Sequence, residues 1–227
     1  LSEGGFKRLI NEGFTFTNKH FNYMPTATGP GHASVYTGTT PSYHGAMGNS
    51  WYVRDLDRSI NVIQVPGYEG VGSEPDYDGN KGPSNLLTTT IGDELRLHTN
   101  LRSKVIGISR KDRGAILPGG HLGDAYWYEG STGNFVTSTY YMEELPEWLQ
   151  EFNARNLAQE YLSQPWETLL PIEEYVESME DDNPYESLHA DQDAPVFPHD
   201  LPRRVEEHGA GPGLLSGTPF GDKLLLE

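Results

Sequence analysis

Phe14-Thr15-Phe16-Thr17-Asn18 places an aromatic ring at every second position, which predicts a strand over 14–18 running into a loop closed by Pro25. From 26 to 38 the chain turns to small residues and ends on Gly38, the pattern of a short helix with Thr28 as its cap. A second helix is predicted over 88–98. There Thr90 and Asp93 have the spacing of an acidic capping box, and Ile91 and Leu95 fall on one face. Residues 103–109 form a short β-branched run that reads as a buried strand. Residues 125–128 and 135–139 flank Gly130-Ser131-Thr132-Gly133-Asn134, which predicts a hairpin with a longer loop. Trp148, Phe152, Leu157 and Tyr161 are spaced for one helix over 146–162. From 176 to 212 acidic residues, Pro and Gly interrupt any period, so an irregular excursion is expected. Helix followed by strand recurs, and the expected class is α/β, a mixed sheet flanked by helices.

A chain of 227 residues can bury roughly 70% of its extended surface, as one large domain or two small ones. Heptads, a glycine period of three and apolar runs near 18 residues are all absent, which sets aside coiled coil, collagen and a membrane-spanning helix. With 13 Tyr, 8 Phe and 4 Trp the chain is too aromatic for a solvated coil, and with no Cys it has neither disulfides nor thiolate metal ligands. The formal charge of −17 is uneven: 12 basic and 13 acidic residues lie in 1–142, but 4 and 20 in 143–227. The sequence therefore divides into a near-neutral part and an acidic helical and irregular part, the latter read as a solvated face. An anion can approach the first part without a long-range penalty. Nucleic acid is not expected as a partner, because no basic stripe is present to displace counterions. Leu1 stands where a start Met would, and Lys223-Leu224-Leu225-Leu226-Glu227 reads as the opening of a helix, so truncation at both ends is expected.

Three segments carry candidate chemistry. Thr28, followed by Gly29-Pro30-Gly31, sits at a helix start among unpaired backbone N–H groups and the positive end of the helix dipole. That is a position for a nucleophile, and also for an ordinary capping Thr. In Gly48-Asn49-Ser50-Trp51 the Asn49 amide can donate to a phosphoryl oxygen or simply build a turn. Ser109-Arg110-Lys111-Asp112-Arg113-Gly114 puts three cations directly after a predicted strand, where open α/β sheets bind ligands. Lys111 and Arg113 suit the oxygens of a dianionic ester, unless the loop is solvated and paired with Asp112. His20, His32 and His44 recur every twelve residues, a period of neither helix nor strand, and are read as loop or supporting donors. Glu94 and His98 share a helical face and are expected to form a surface ion pair.

Pro25 to Ser34, Tyr36-Thr37-Gly38, Pro41, His44-Gly45, Gly48 to Tyr52 and Ser109 to Ala115 together resemble the alkaline phosphatase superfamily, in its type I phosphodiesterase and nucleotide pyrophosphatase branch. The Lys-x-Arg pair is similar to that of PafA-type bacterial alkaline phosphatases, monomeric and phosphate-irrepressible, with a Thr nucleophile. The resemblance implies a periplasmic or secreted monomer that hydrolyses small phosphate monoesters at two Zn2+ ions. Thr28 would be nucleophile and zinc ligand, Asn49 would hold a phosphoryl oxygen, and Lys111 and Arg113 the oxygen that a diester would have esterified. The family's Asp-x-x-x-His and Asp-His zinc motifs do not occur in this chain. A fragment inactive on its own is therefore expected, carrying the nucleophile half of a longer enzyme. The alternatives are a phosphodiesterase or phosphonate hydrolase of the same superfamily, and a non-catalytic binding protein.

Overall fold

A computed structural model describes residues 4–186, 188 and 194–227. A short exposed helix, α1 (Phe6–Glu12), comes first. The strand predicted over 14–18 does not form. No strand pairs with it among the described residues, and Phe14 and Phe16 stay exposed, meeting edge-on with ring centroids 5.0 Å apart. Helices α2 (Thr28–Thr37) and α3 (Pro41–His44) each end on a left-handed glycine, Gly38 and Gly45. Strands β1 (Ser50–Val53) and β2 (Arg58–Asn61) form an antiparallel ribbon.

The larger sheet comprises β3 (Gly70–Val71), β4 (Ile106–Ser109), β5 (Asp124–Glu129) and β6 (Asn134–Ser138), in the order β3-β6-β5-β4. β4 and β5 run parallel, joined through α5 (Asp112–Gly119), whereas β5, β6 and β3 pair antiparallel, so the sheet is mixed, as expected. The predicted hairpin is β5–β6, with Trp127 opposite Val136. The run at 103–109 yields a strand only over Ile106–Ser109, and it is not buried: β4 is the sheet edge, with Ile106 and Ile108 48% and 49% exposed. Helix α4 (Ile91–His98) has the predicted capping box, but the face carrying Ile91 and Leu95 points to solvent. Glu94 accepts from the Thr89 hydroxyl at 2.7 Å rather than pairing with His98.

Successive residues of β5 feed opposite faces of the sheet. Ala125 and Trp127 join Ala33 of α2, Ala115 to Leu117 of α5, and Val62 and Ile63 in one core. Tyr126 and Tyr128 join α6 (Glu147–Ala154), α7 (Leu157–Leu162), α8 (Leu201–His208) and α9 (Pro219–Leu226) in the other. The single helix predicted over 146–162 is two, because Asn156 takes left-handed φ of 52° between α6 and α7. The excursion over 176–212 contains α8, which starts where the Asp200 carboxylate accepts from the Arg203 N–H and stops at left-handed Gly209. Residues 187 and 189–193 of that excursion lie outside the described residues. Residues 223–226 lie in a helix that begins earlier than expected, α9 starting at Pro219.

Candidate active site

Thr28 is the first residue inside α2, not its cap. Ala27 is the extended cap residue, and no side chain caps this end. Pro30 has no N–H, so the orphan donors of the first turn are few. The Gly29 N–H donates to Asn49 Oδ1 at 2.7 Å, across 20 residues of sequence. A side chain at Gly29 would press on that contact, because its Cβ would lie 2.9 Å from the Gly48 carbonyl and 3.3 Å from Asn49 Oδ1. With Oδ1 engaged, the Asn49 NH2 remains available to donate. The structure thus brings Thr28 and Asn49 together at one helix N-terminus, both half-buried.

The Lys111 turn lies at the carboxyl end of β4, as expected. Lys111 is the N-cap residue of α5 and is exposed, with no carboxylate partner among the described residues. Arg113, in the first turn, has a buried Nε with no hydrogen-bond partner. Its backbone N–H donates to Asp112 Oδ1 at 2.7 Å, and its Nε lies 3.7 Å from the same oxygen. Arg110 turns away, donating to the Ser216 carbonyl at 2.8 Å and facing Asp222. Helices α2 and α5 pack together. Thr28 and His32 share a face of α2 at i and i+4, and His32 Nε2 lies 3.8 Å from where a Cβ on Gly114 would sit. The face that carries Thr28 is therefore turned toward the first turn of α5, directly beyond Arg113.

The three histidines serve separate contacts. His20 is exposed beside Asn18. His32 is half-buried, and burial lowers its pKa. His44 is fully buried: its Nδ1 accepts from the Ala46 N–H, which leaves Nε2 to donate to Ser34 Oγ at 2.9 Å. Both nitrogens are committed, so this ring is not a metal ligand. Among the described residues no group of three His, Cys, Asp or Glu side chains could hold a metal ion. Sequence reasoning missed Lys81, whose ammonium lies 3.1 Å from Asp112 Oδ2. No spacing signals it, since it stands 31 positions earlier in an irregular segment.

A family model described as type I phosphodiesterase / nucleotide pyrophosphatase matches residues 2–192. The chain belongs to this family. It is 44% identical over 227 residues to alkaline phosphatase PafA of Elizabethkingia meningoseptica, covering 99% of this chain and 41% of that protein. It is 45% identical over 225 residues to alkaline phosphatase PhoV of Synechococcus elongatus, covering 99% of this chain and 40% of that one. The crystal structure of wild-type PafA superposes with a TM-score of 0.93 at 43% identity, over 98% of this chain and 43% of that chain. So does a PafA variant in which a Thr is changed to Ser and an Asn, a Lys and an Arg to Ala, at 41% identity. The chain spans about two fifths of the length of these family members, and no helix among the described residues is long and apolar enough to cross a membrane.

Proposed function

We propose that the protein to which these residues belong hydrolyses phosphate monoesters through a phosphothreonine at Thr28. The observation that carries this reading is the Gly29 N–H to Asn49 Oδ1 bond, which fixes an amide donor beside a hydroxyl at a helix N-terminus. A second support is the PafA variant: its substituted Thr, Asn, Lys and Arg follow the same order and spacings as Thr28, Asn49, Lys111 and Arg113. Thr28 Oγ1 loses its proton and bonds to phosphorus in line as the ester P–O bond breaks. The leaving oxygen departs with the bonding pair and takes up a proton. Water then cleaves the phosphothreonine, restoring the hydroxyl and releasing inorganic phosphate. Asn49 and the α2 N-terminus stabilise charge on the transferring group. Lys111 and Arg113 hold the oxygens that distinguish a dianionic monoester from a diester.

The residues present do not fit a two-zinc centre. Among the described residues no group of three His, Cys, Asp or Glu side chains accompanies Thr28, and one hydroxyl does not hold a divalent cation against water. We assign the zincs to the whole protein, which we read as a periplasmic or secreted monomer, and expect the 227-residue chain alone neither to bind two zincs nor to turn over. In the full-length protein, Thr28→Ala should lower monoester turnover by about a thousandfold or more. Asn49→Ala should lower it by roughly a hundredfold. Lys111→Ala with Arg113→Ala should hurt a monoester far more than a diester. Unchanged activity in Thr28→Ala would leave Thr28 an ordinary helix residue, and equal losses for both esters would remove the specificity argument. Stoichiometric zinc and phosphatase activity in the isolated chain would refute its assignment as inactive.

A further inference from the structure

Asp112 stands between the two cations assigned to the substrate, and something must keep its carboxylate from claiming them. Lys81 is placed to do this. Its ammonium donates to Asp112 Oδ2 at 3.1 Å, with the two side chains only 15% and 21% exposed, so the pair is little screened. The ammonium also donates to the Tyr77 hydroxyl at 2.5 Å, and that hydroxyl accepts from Trp127 Nε1 at 2.7 Å. Trp127 belongs to β5 and is fully buried. The backbone of Lys81 is held as well: its carbonyl accepts from Ser138 Oγ of β6 at 2.6 Å. A chain of contacts therefore runs from the sheet through Trp127, Tyr77 and Lys81 to Asp112, and from Asp112 Oδ1 to the Arg113 N–H.

We propose that Lys81 is a positioning residue for the substrate-binding pair: it neutralises and fixes the Asp112 carboxylate, so that Lys111 and Arg113 present their cations to the phosphoryl oxygens. The inference rests on the roles given to Lys111 and Arg113 under Proposed function. Without Lys81, the nearest cation to Asp112 is Arg113, whose Nε is already 3.7 Å from Oδ1. A fork-to-carboxylate pair would then draw the guanidinium away from substrate. The uncompensated charge would also repel a dianionic monoester about twice as strongly as a monoanionic diester, since Coulomb energy scales with charge.

The test uses the full-length protein with one monoester and one diester, comparing Lys81→Met, Lys81→Arg and Lys111→Ala/Arg113→Ala with and without Lys81→Met. Lys81→Met should lower monoester kcat/KM by about tenfold to a hundredfold, the scale of a misplacement near 1 Å, chiefly through KM. The diester should change by less than about threefold, and Lys81→Arg should recover most of the loss. In the Lys111→Ala/Arg113→Ala background, adding Lys81→Met should cost much less than it does in wild type, only the repulsion by the bare Asp112 carboxylate, because the groups it positions are gone. Equal losses for both esters, or the full loss reappearing in that background, would overturn the proposal and leave Lys81 a purely structural residue. If Lys81→Met does not fold, Tyr77→Phe gives the second reading, with a smaller loss expected in the same monoester-selective direction; a non-selective effect there overturns the proposal equally. Failure of the underlying reading is seen separately, as no monoester preference lost in Lys111→Ala/Arg113→Ala alone.

Discussion

His44 is fully buried with a donor on one ring nitrogen and an acceptor on the other, an arrangement that requires the neutral imidazole. Desolvation lowers its pKa from the ordinary 6.5 and outweighs the opposing backbone hydrogen bond; burial alone lowers that of His32. The sign of the stability effect follows. Below 6.5 the unfolded chain binds protons that the folded chain does not, so stability present above 6.5 is lost as pH falls through the unfolded value toward the folded one. Urea unfolding midpoints should accordingly drop between pH 7.5 and pH 5.5, and His44→Gln should flatten that dependence. A midpoint independent of pH in wild type would mean that neither ring is held neutral. The sequence shows His44 but not its state, because Ser34 becomes its partner only when α2 packs on α3.

Asp93 shows how one residue can serve two elements. Its Oδ2 accepts from the Thr90 N–H at 2.8 Å while Thr90 Oγ1 accepts from the Asp93 N–H at 3.1 Å, closing the capping box of α4. Its Oδ1 accepts from the Leu122 N–H at 2.7 Å, which ties α4 to the turn after α5. Thr90→Ala removes a cap and should cost about 1 kcal/mol. Asp93→Ala leaves the bond to Thr90 Oγ1 but strands the backbone N–H groups of Thr90 and Leu122, and should cost roughly 2–4 kcal/mol, with Asp93→Asn retaining part of it. Chemical denaturation of the three variants checks the order; equal costs for Thr90→Ala and Asp93→Ala would show that the Leu122 bond contributes nothing. The capping box was legible because its partners are three residues apart, and the Leu122 bond was not because they are 29 apart. The same distinction explains α6 and α7. Their apolar spacing reads straight through 155–156, whereas the left-handed turn at Asn156 answers to tertiary packing of Leu157, Tyr161 and Leu162 on the second core. In the site, the Thr28 and Lys111 segments stood out by local composition. Their meeting depended on α2 packing against α5, and Lys81 depended on a loop with no period.

Across the whole molecule the sheet separates two chemistries. The near-neutral residues build α2, α5 and the core around Trp127, while the described residues from 143 onward, which carry 18 acidic side chains, supply the helices packed on the other face. The sheet and both cores thus stand between most of the negative charge and the N-terminus of α2, which favours anion approach there. Among the described residues no strand pairs with the outer edge of β4, with Tyr36, Ile91 and Ile106 exposed along one side and Trp148 and Leu225 along the other. Ile106 and Ile108 alternate with Gly107 and Ser109 along β4, so the exposed isoleucines share one face of this edge strand. An open apolar edge is a template for another strand. The isolated 227-residue chain should therefore associate as its concentration rises and should bind a dye specific for exposed apolar surface. Ile108→Lys, which sets a charge on that edge, should shift sedimentation toward single copies and reduce dye binding. Single copies and no dye binding in the unsubstituted chain would show that the β4 edge is protected from pairing despite its exposed isoleucines.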